Sequence, residues 1–95
     1  MLLQKPITNG DVVSLKLLNG DEIIARLESD DHNGVTVNRP LAITAGPSGL
    51  GMIPWMFLGN GDNFTLKREH IFAMVPSKKD AADQYLTGTT GIALS

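Results

Sequence analysis

Two short stretches of the sequence carry polar residues of the kinds that bind ligands or perform chemistry, and the first is Asp30–Asn33. Its order is Asp-Asp-His-Asn, and the carboxylates of Asp30 and Asp31 could hold a metal ion or bond the edge of a nucleobase. Aspartates in a turn more often bond the neighbouring backbone, and that reading is favoured here. The sequence leaves both interpretations open.

The second stretch is Lys67–His70, in which Lys67, Arg68 and His70 form a basic cluster. Such side chains neutralise phosphate groups or stack on bases in proteins that bind single-stranded nucleic acid. Because Glu69 balances part of this charge, the same residues equally suit a solvated polar face of a strand.

Neither stretch belongs to a recognisable catalytic or metal-binding motif. The chain has no cysteine, and its two histidines have no partners at metal-ligand spacing. The glycine-rich stretch Ala45–Gly51 lacks the lysine and the strand-to-helix context of a phosphate-binding loop. We therefore expect a protein that is not an enzyme and that uses no cofactor and no metal.

Length and charge narrow the class of protein further. The 95 residues suit a single domain, and the net charge of −2 argues against coating nucleic acid by bulk charge. A local basic patch is still compatible with this net charge. No apolar run is long enough to cross a membrane and the first residues lack the apolar stretch of a signal peptide, so we expect a cytoplasmic protein.

The first two strands are predicted by apolar alternation at positions 13, 15 and 17 and at positions 23, 25 and 27. Asn19-Gly20 between them is a strong hairpin signal. A two-residue loop would place the two apolar rows on opposite faces, because a change of register by one residue flips every side chain. We therefore predict a three-residue loop, Leu18-Asn19-Gly20, with Gly20 left-handed beside a bulge.

Three further strands follow in the sequence. The third starts at Val35 and continues past Pro40, which lacks a backbone donor and so marks a bulge, an edge or a break. The fourth is Met52–Leu58, which an internal proline assigns to a sheet edge. The fifth is Phe64–Val75, with a kink or turn near Arg68-Glu69.

A short helix is expected over about residues 78–86, with Ser77 as its N-cap and Asp80 as the acid of a capping box. Residues 87–95 would form a loose tail. Five strongly bent strands over about residues 11–76 indicate a mostly β fold. We predict a small, strongly bent five-stranded open barrel of the SH3-like or OB type with a short C-terminal helix.

One edge of this predicted sheet is unusually apolar. Its large side chains exceed what a small core needs, so we expect the edge to meet another subunit. An edge that pairs with a different edge of the next copy closes into a ring if the rotation allows. Trp55 on this edge is better explained by burial than as a stacking platform, although a monomeric SH3-like peptide-binding module would expose it. The apolar residues of the edge are Met52, Ile53, Trp55, Met56 and Phe57.

The order of these motifs resembles the Sm/LSm family, including the bacterial Hfq type, over roughly Asp11 to Pro76. "VSLKLLNGDEIIARLESDD" is similar to the first family motif, with apolar alternation, an Asn-Gly turn, a small residue two before a leucine and an acid at Asp31. "LKREHIFAMVPSK" is similar to the second motif, with Lys67 in the place of the family's basic residue. The chain resembles a divergent Sm-like protein of phage origin, which would act in the host cytoplasm.

The resemblance implies that the fourth strand of one subunit joins the fifth strand of the next in a homomeric ring of about five to seven subunits. It also implies that the ring binds single-stranded RNA at a nucleobase pocket. The subunit interface would involve Met52, Ile53, Trp55, Met56, Phe57, Ile71, Phe72 and Met74. The RNA-binding residues would be Asp31, His32, Asn33, Lys67, Arg68 and His70.

Departures from the family pattern support a second hypothesis. No asparagine follows Asp31 at the family's spacing, and Arg68 stands where the family has glycine. Together with the negative net charge, these differences favour a ring-forming assembly or protein-interaction module that has lost RNA binding.

Overall fold

The computed structural model describes residues 6–56, 58–59 and 61–90. Within these residues the protein is mostly β, with six antiparallel strands in an open sheet and one C-terminal helix, α1 (Lys79–Thr90). A 3₁₀ helix, Arg68–His70, precedes the last strand. The strands are β1 (Val12–Leu17), β2 (Glu22–Asp31), β3 (Gly34–Gly46), β4 (Gly49–Pro54), β5 (Asn63–Leu66) and β6 (Ile71–Pro76).

The strand order is β4-β3-β2-β1-β6, and β5 pairs with β3 as well. The 13-residue strand β3 therefore serves two partners. Its first part, Val35–Asn38, pairs with β5, and its second part, Leu41–Gly46, pairs with β4. As a result β4 and β6 are the two end strands of the sheet. Within the described residues β5 pairs with β3 on one side, and its other side is an additional unpaired edge.

The expectation of five strands is corrected to six. The glycine-rich stretch is a tight hairpin in which Gly46 pairs with Gly49, whose φ of +115° suits glycine, so β4 starts earlier than predicted. This strand ends at Pro54 rather than at residue 58. The predicted fifth strand is divided by the 3₁₀ helix Arg68–His70, which confirms the kink expected near Arg68-Glu69.

The β1–β2 hairpin has the predicted odd-length loop. Leu15 lies opposite Ile23, and the Leu17 N–H donates to the Asp21 carbonyl oxygen at 2.8 Å, which leaves residues 18–20 as the loop. Gly20 has a φ of +99°, as the three-residue loop requires. The two apolar rows consequently share one face, and the prediction from parity is confirmed.

That shared face forms the hydrophobic core. Several half-buried side chains pack around its margin, including Trp55, Phe64, Ile71 and Met74. Removal of this apolar surface from water is the main source of stability in a domain of this size. The buried residues of the cluster are Val13, Leu15, Leu17, Ile23, Ala25, Leu27, Val35 and Val37.

A bend in β3 separates its two halves. Arg39 and Pro40 together lie opposite the single residue Ala25, so of the bulge, edge or break expected at Pro40 the structure has the bulge. Arg39 has a φ of +49°, an uncommon conformation for a residue with a Cβ. Its N–H donates to the Asp62 carbonyl oxygen at 2.7 Å, and the Trp55 N–H donates to the Pro40 carbonyl oxygen at 3.1 Å.

Helix α1 is fixed to this bend by Tyr85, which is only 1% exposed. The Tyr85 hydroxyl donates to the Asn38 carbonyl oxygen at 2.7 Å, with the Arg39 carbonyl oxygen at 3.0 Å. The same hydroxyl accepts the Arg26 N–H at 3.2 Å. One phenol thus binds backbone groups of both β2 and β3.

The helix starts within one residue of the predicted position near residue 78, but the predicted N-cap and the predicted end are wrong. The helix begins at Lys79, and the Ser77 hydroxyl bonds the Ser14 hydroxyl at 2.8 Å instead of capping the helix. The helix continues through Gly88 to Thr90, where a loose tail was expected, and the rest of that tail, residues 91–95, lies outside the described residues. The extension has a tertiary contact of its own, since the Arg39 guanidinium donates to the Thr89 carbonyl oxygen. Such contacts override the weak helix propensity of glycine and threonine.

Substitution of Leu15 tests the assignment of the core. Leu15→Ala leaves a cavity at a side chain that is fully buried, so we expect the free energy of unfolding to fall by about 2–5 kcal/mol. Urea denaturation measures this change. The control is Leu18→Ala, at 61% exposure in the neighbouring loop, where a change below about 0.5 kcal/mol is expected. Equal losses in the two variants would contradict the assignment.

Tyr85→Phe tests the attachment of the helix. It leaves the Arg26 N–H and a β3 carbonyl without their partner, so the free energy of unfolding should fall by about 1–3 kcal/mol. Thr87→Ala, on the exposed side of the same helix, is the control and should have little effect. A stability unchanged by Tyr85→Phe would disprove the role given to the hydroxyl.

The same residue predicts a dependence on alkaline pH. Burial raises the pKa of the Tyr85 phenol above its ordinary value of 10.0. The stability that the neutral Tyr85 phenol contributes is therefore complete below about pH 10. It is lost as the pH rises through the pKa of this phenol in the folded protein. Because the chain has one tyrosine, its ultraviolet absorbance reports this titration directly. Tyr85→Phe should lack this component, and identical pH profiles of the two proteins would contradict the assignment.

Candidate nucleic-acid interface

The first candidate stretch forms the turn between β2 and β3. Asp31 pairs with Gly34, so His32 and Asn33 are the two residues of the turn. The Asp31 Oδ1 atom accepts the Asn33 N–H at 2.9 Å, which is the local backbone bond favoured for this aspartate from the sequence. The side chains of His32 and Asn33 remain exposed at the tip.

The pairing of β3 with β5 brings the second stretch to this turn. Val35 lies opposite Leu66, so the residue that follows β5, Lys67, reaches the level of Gly34. Two side-chain hydrogen bonds reinforce this register. They join Thr36 to Thr65 at 2.8 Å and Asn38 to Asn63 at 2.8 Å.

An open pocket of about 260 Å³ lies where the two stretches meet. It contains four of the six predicted RNA-binding residues together with two residues that sequence reasoning did not select. The lining consists of His32, Asn33, Gly34, Lys67, Arg68 and Glu69. We call this the turn pocket.

Gly34 is one of the two lining residues that were not predicted as site residues. It allows the β2–β3 turn and the end of β5 to approach each other closely. It is buried and has a φ of +132°, and a Cβ at this position would collide with the Leu66 carbonyl oxygen. The Asn-Gly dipeptide at 33–34 was a detectable signal for such a backbone, because glycine accepts positive φ without steric cost.

The two cations of the turn pocket have different environments. The Arg68 guanidinium forms an ion pair with the Asp30 carboxylate and donates to the Asp31 carbonyl oxygen at 2.6 Å. Arg68 therefore ties the 3₁₀ helix to the β2–β3 turn. Among the described residues, no hydrogen bond or ion pair involves the Lys67 ammonium, so its charge faces solvent.

Two predicted site residues are not part of the lining. Asp31 contributes its carbonyl oxygen to Arg68 and its carboxylate to the turn. His70 lies at the far end of the 3₁₀ helix, where its carbonyl oxygen accepts the Leu18 N–H at 2.9 Å. The structure therefore places His70 beside the β1–β2 loop rather than at the turn pocket.

The predicted interface residues divide into two groups. Trp55, Ile71 and Met74 pack against the chain's own core, and Met52 is half-buried. Ile53, Met56 and Phe72 are exposed by 39%, 45% and 73% on strands or segments at the sheet edges. Phe57 lies outside the described residues.

Trp55 is held by two contacts within the chain. Its ring meets that of Phe64 edge to face, with centroids 6.3 Å apart, and its indole N–H donates to an Asp21 carboxylate oxygen at 3.3 Å. The tryptophan is half-buried, so the exposure that a peptide-binding module would need is not present.

No protein-family model and no curated protein matches the chain. The described ranges contain no group of three or more His, Cys, Asp or Glu side chains placed to hold a metal ion. In the part of the chain that the structure describes, no helix combines the length and apolar character needed to span a membrane.

Gly34→Ala tests the close approach that forms the turn pocket. The new Cβ would be strained at positive φ and would push β5 away from β3, so we expect the free energy of unfolding to fall by about 1–3 kcal/mol. Gly88→Ala is the control, since it lies in helix α1 with open space around it and should stabilise by about 0.5–1 kcal/mol. Chemical denaturation of both variants measures the changes, and a harmless Gly34→Ala would refute the proposed approach.

Proposed function

We propose that this protein is a non-enzymatic Sm-like protein that forms a homomeric ring of about five to seven subunits and binds single-stranded RNA. The observation that carries the proposal is the turn pocket, which unites His32 and Asn33 with Lys67 across two separate parts of the chain. The proposal rests on the resemblance in motif order together with the arrangement of strands.

The strand arrangement supports the Sm-like part of the proposal. The last strand, β6, lies beside the first, and a 3₁₀ helix separates it from β5. The bulge of β3 at Arg39 and Pro40 also supports it, because a bulged strand bends and a small barrel needs bent strands.

The sheet edges support the ring. An edge strand presents unpaired backbone N–H and C=O groups that pair readily with another chain. Here β4 and β6 are both edges, and each carries exposed apolar side chains, with Leu50 at 74% and Phe72 at 73%. Pairing of two different edges is a head-to-tail contact, which closes into a ring where the rotation between copies allows it.

The chemistry of the turn pocket supports binding of RNA. Proteins read unstacked RNA by stacking on the bases and by hydrogen bonds to exposed base edges. In the proposed complex the His32 imidazole stacks on a base, the Asn33 amide bonds the base edge and the Lys67 ammonium pairs with a phosphate. A ring repeats this pocket in every subunit, so weak contacts act together.

A second function is favoured by one observation. Because Arg68 pairs with Asp30, one of the two cations at the pocket is already neutralised by the chain itself. The net charge of −2 adds a general repulsion of nucleic acid. These facts support a ring-forming assembly or protein-interaction module that has lost RNA binding.

Binding of oligo-U and oligo-A to the wild type and to a Lys67→Ala, Arg68→Ala variant separates these functions. The RNA-binding function predicts that affinity falls at least about tenfold while solution mass stays unchanged. The slope of log affinity against log salt should become shallower by about 0.7 for each phosphate that the variant no longer neutralises. Fluorescence anisotropy over a salt titration, with light scattering for mass, measures both.

Lys78→Ala is the matched control, since it removes an exposed lysine outside the turn pocket and should leave affinity nearly unchanged. Oligomers that bind no RNA even at low salt would support the assembly module instead. A monomer at micromolar concentration would overturn the ring.

A further inference from the structure

The turn pocket contains a carboxylate that the proposed contacts with RNA leave unused. Glu69 lies in the 3₁₀ helix and lines the pocket together with Asn33 and Lys67. It is exposed, and within the described residues no hydrogen bond or ion pair involves its side chain. The Glu69 carboxylate is therefore available to a ligand in the pocket.

The cations near Glu69 do not occupy this carboxylate. The neighbouring Arg68 guanidinium is paired with the Asp30 carboxylate across the turn. The Lys67 ammonium has no partner in the part of the chain that the structure describes, and His32 lines the pocket from the β2–β3 turn. An anionic group that enters the pocket is therefore attracted by Lys67 and repelled by Glu69.

A carboxylate in a pocket for RNA has a restricted chemistry. It only accepts hydrogen bonds, through two oxygens that lie side by side. A phosphate group gains nothing from such a partner, whereas the N–H groups of a base edge do. The unstacked bases of single-stranded RNA present these edges to protein side chains. One nucleotide can therefore satisfy both charges of the pocket, with its phosphate at Lys67 and its base at Glu69.

The four bases differ in the donors that they offer to a carboxylate. Guanine has two neighbouring donors on its Watson–Crick edge, the N1–H and the N2 amino group, which match the two carboxylate oxygens. Uracil has one N–H between two carbonyl oxygens, and a carboxylate repels those oxygens. Adenine and cytosine each have one amino group beside a ring nitrogen that accepts. Because paired charge-assisted hydrogen bonds are strong and geometrically specific, guanine is the base that suits a carboxylate best.

The backbone segment that carries Glu69 is held in place. The His70 N–H donates to the Lys67 carbonyl oxygen at 2.9 Å, and the Leu18 N–H donates to the His70 carbonyl oxygen at 2.9 Å. The Arg68 side chain ties the same segment to the β2–β3 turn. Since a selective site needs its groups in fixed positions, this bracing suits a residue that reads a base edge.

We propose that the turn pocket selects guanine, whose N1–H and N2 amino group donate to the Glu69 carboxylate. This inference rests on the proposed function and names the base that the pocket takes. The Asn33 amide, on the β2–β3 turn, donates to the guanine O6 atom and completes the contacts with the edge. His32 stacks on the base and Lys67 pairs with the phosphate, as in the proposed function.

Short uridine oligomers that carry one central guanine, adenine, cytosine or inosine test the selectivity. Fluorescence anisotropy at low salt should show that the guanine oligomer binds at least about tenfold more tightly than the all-uridine oligomer. Adenine and cytosine should give little of this gain. Inosine keeps the N1–H of guanine but lacks the N2 amino group, so it should lose most of the gain as well.

Glu69→Gln assigns the selectivity to the carboxylate. The amide keeps one acceptor oxygen and replaces the other by a donor, so affinity for the guanine oligomer should fall about tenfold. Affinity for the all-uridine oligomer should stay the same or rise, because the repulsion of phosphate is removed. Glu28→Gln is the control, since it makes the same change of charge at an exposed residue of β2 outside the turn pocket. It should leave the ratio of the two affinities at the wild-type value.

The outcomes separate this inference from the proposed function. Equal binding of the guanine and uridine oligomers, or a guanine preference that persists in Glu69→Gln, would overturn the selectivity and leave RNA binding standing. A rise of equal size for every oligomer in Glu69→Gln would also overturn it, because the carboxylate would then only repel phosphate. Absence of binding to all oligomers at low salt would overturn the RNA-binding function itself.

Discussion

The arrangement of this protein depends on the bend of β3 at Arg39 and Pro40. At this point the chain adopts a positive φ at a residue with a Cβ, which is unfavourable unless the surroundings enforce it. Three separate segments do so, since Asp62 and Trp55 bond the backbone of the bend and Tyr85 bonds the carbonyls beside it. The bend therefore decides where β4, β5 and α1 can lie.

The turn pocket also depends on the bend of β3, although it lies at the other end of the strand's first half. Because the second half of β3 turns away to pair with β4, its first half is free to pair with β5, and this pairing brings Lys67 beside Gly34. Arg68 then closes the arrangement by linking the 3₁₀ helix to Asp30 and the β2–β3 turn. Because the Arg68 guanidinium is already paired with Asp30, it cannot give its full charge to a phosphate. The ion pair that holds the turn therefore weakens the attraction of the pocket for anions.

Local rules explain which features the sequence could predict. Parity and the Asn-Gly signal predicted the β1–β2 loop, and the missing donor of proline predicted an irregularity at Pro40, because both depend on neighbouring residues alone. The sixth strand and the length of α1 depend on contacts between distant residues, such as that of Arg39 with Thr89. The candidate site was predicted as two separate stretches of sequence. That they lie side by side depends on the β3–β5 register. His70 lies away from the turn pocket because the 3₁₀ helix places it beside the β1–β2 loop.

The charge of a single subunit limits the affinity that one turn pocket could have for RNA. Lys67 has no ionic or hydrogen-bonding partner within the described residues, and one such lysine corresponds to about one phosphate contact, whose contribution is small at physiological salt. A ring changes this balance, because a strand bound at one pocket meets the next at a high effective concentration. Affinity would then grow with the number of pockets engaged rather than with the strength of each. Under the proposed function, the apolar edges that join the subunits therefore supply the RNA affinity that the charge of this acidic chain does not.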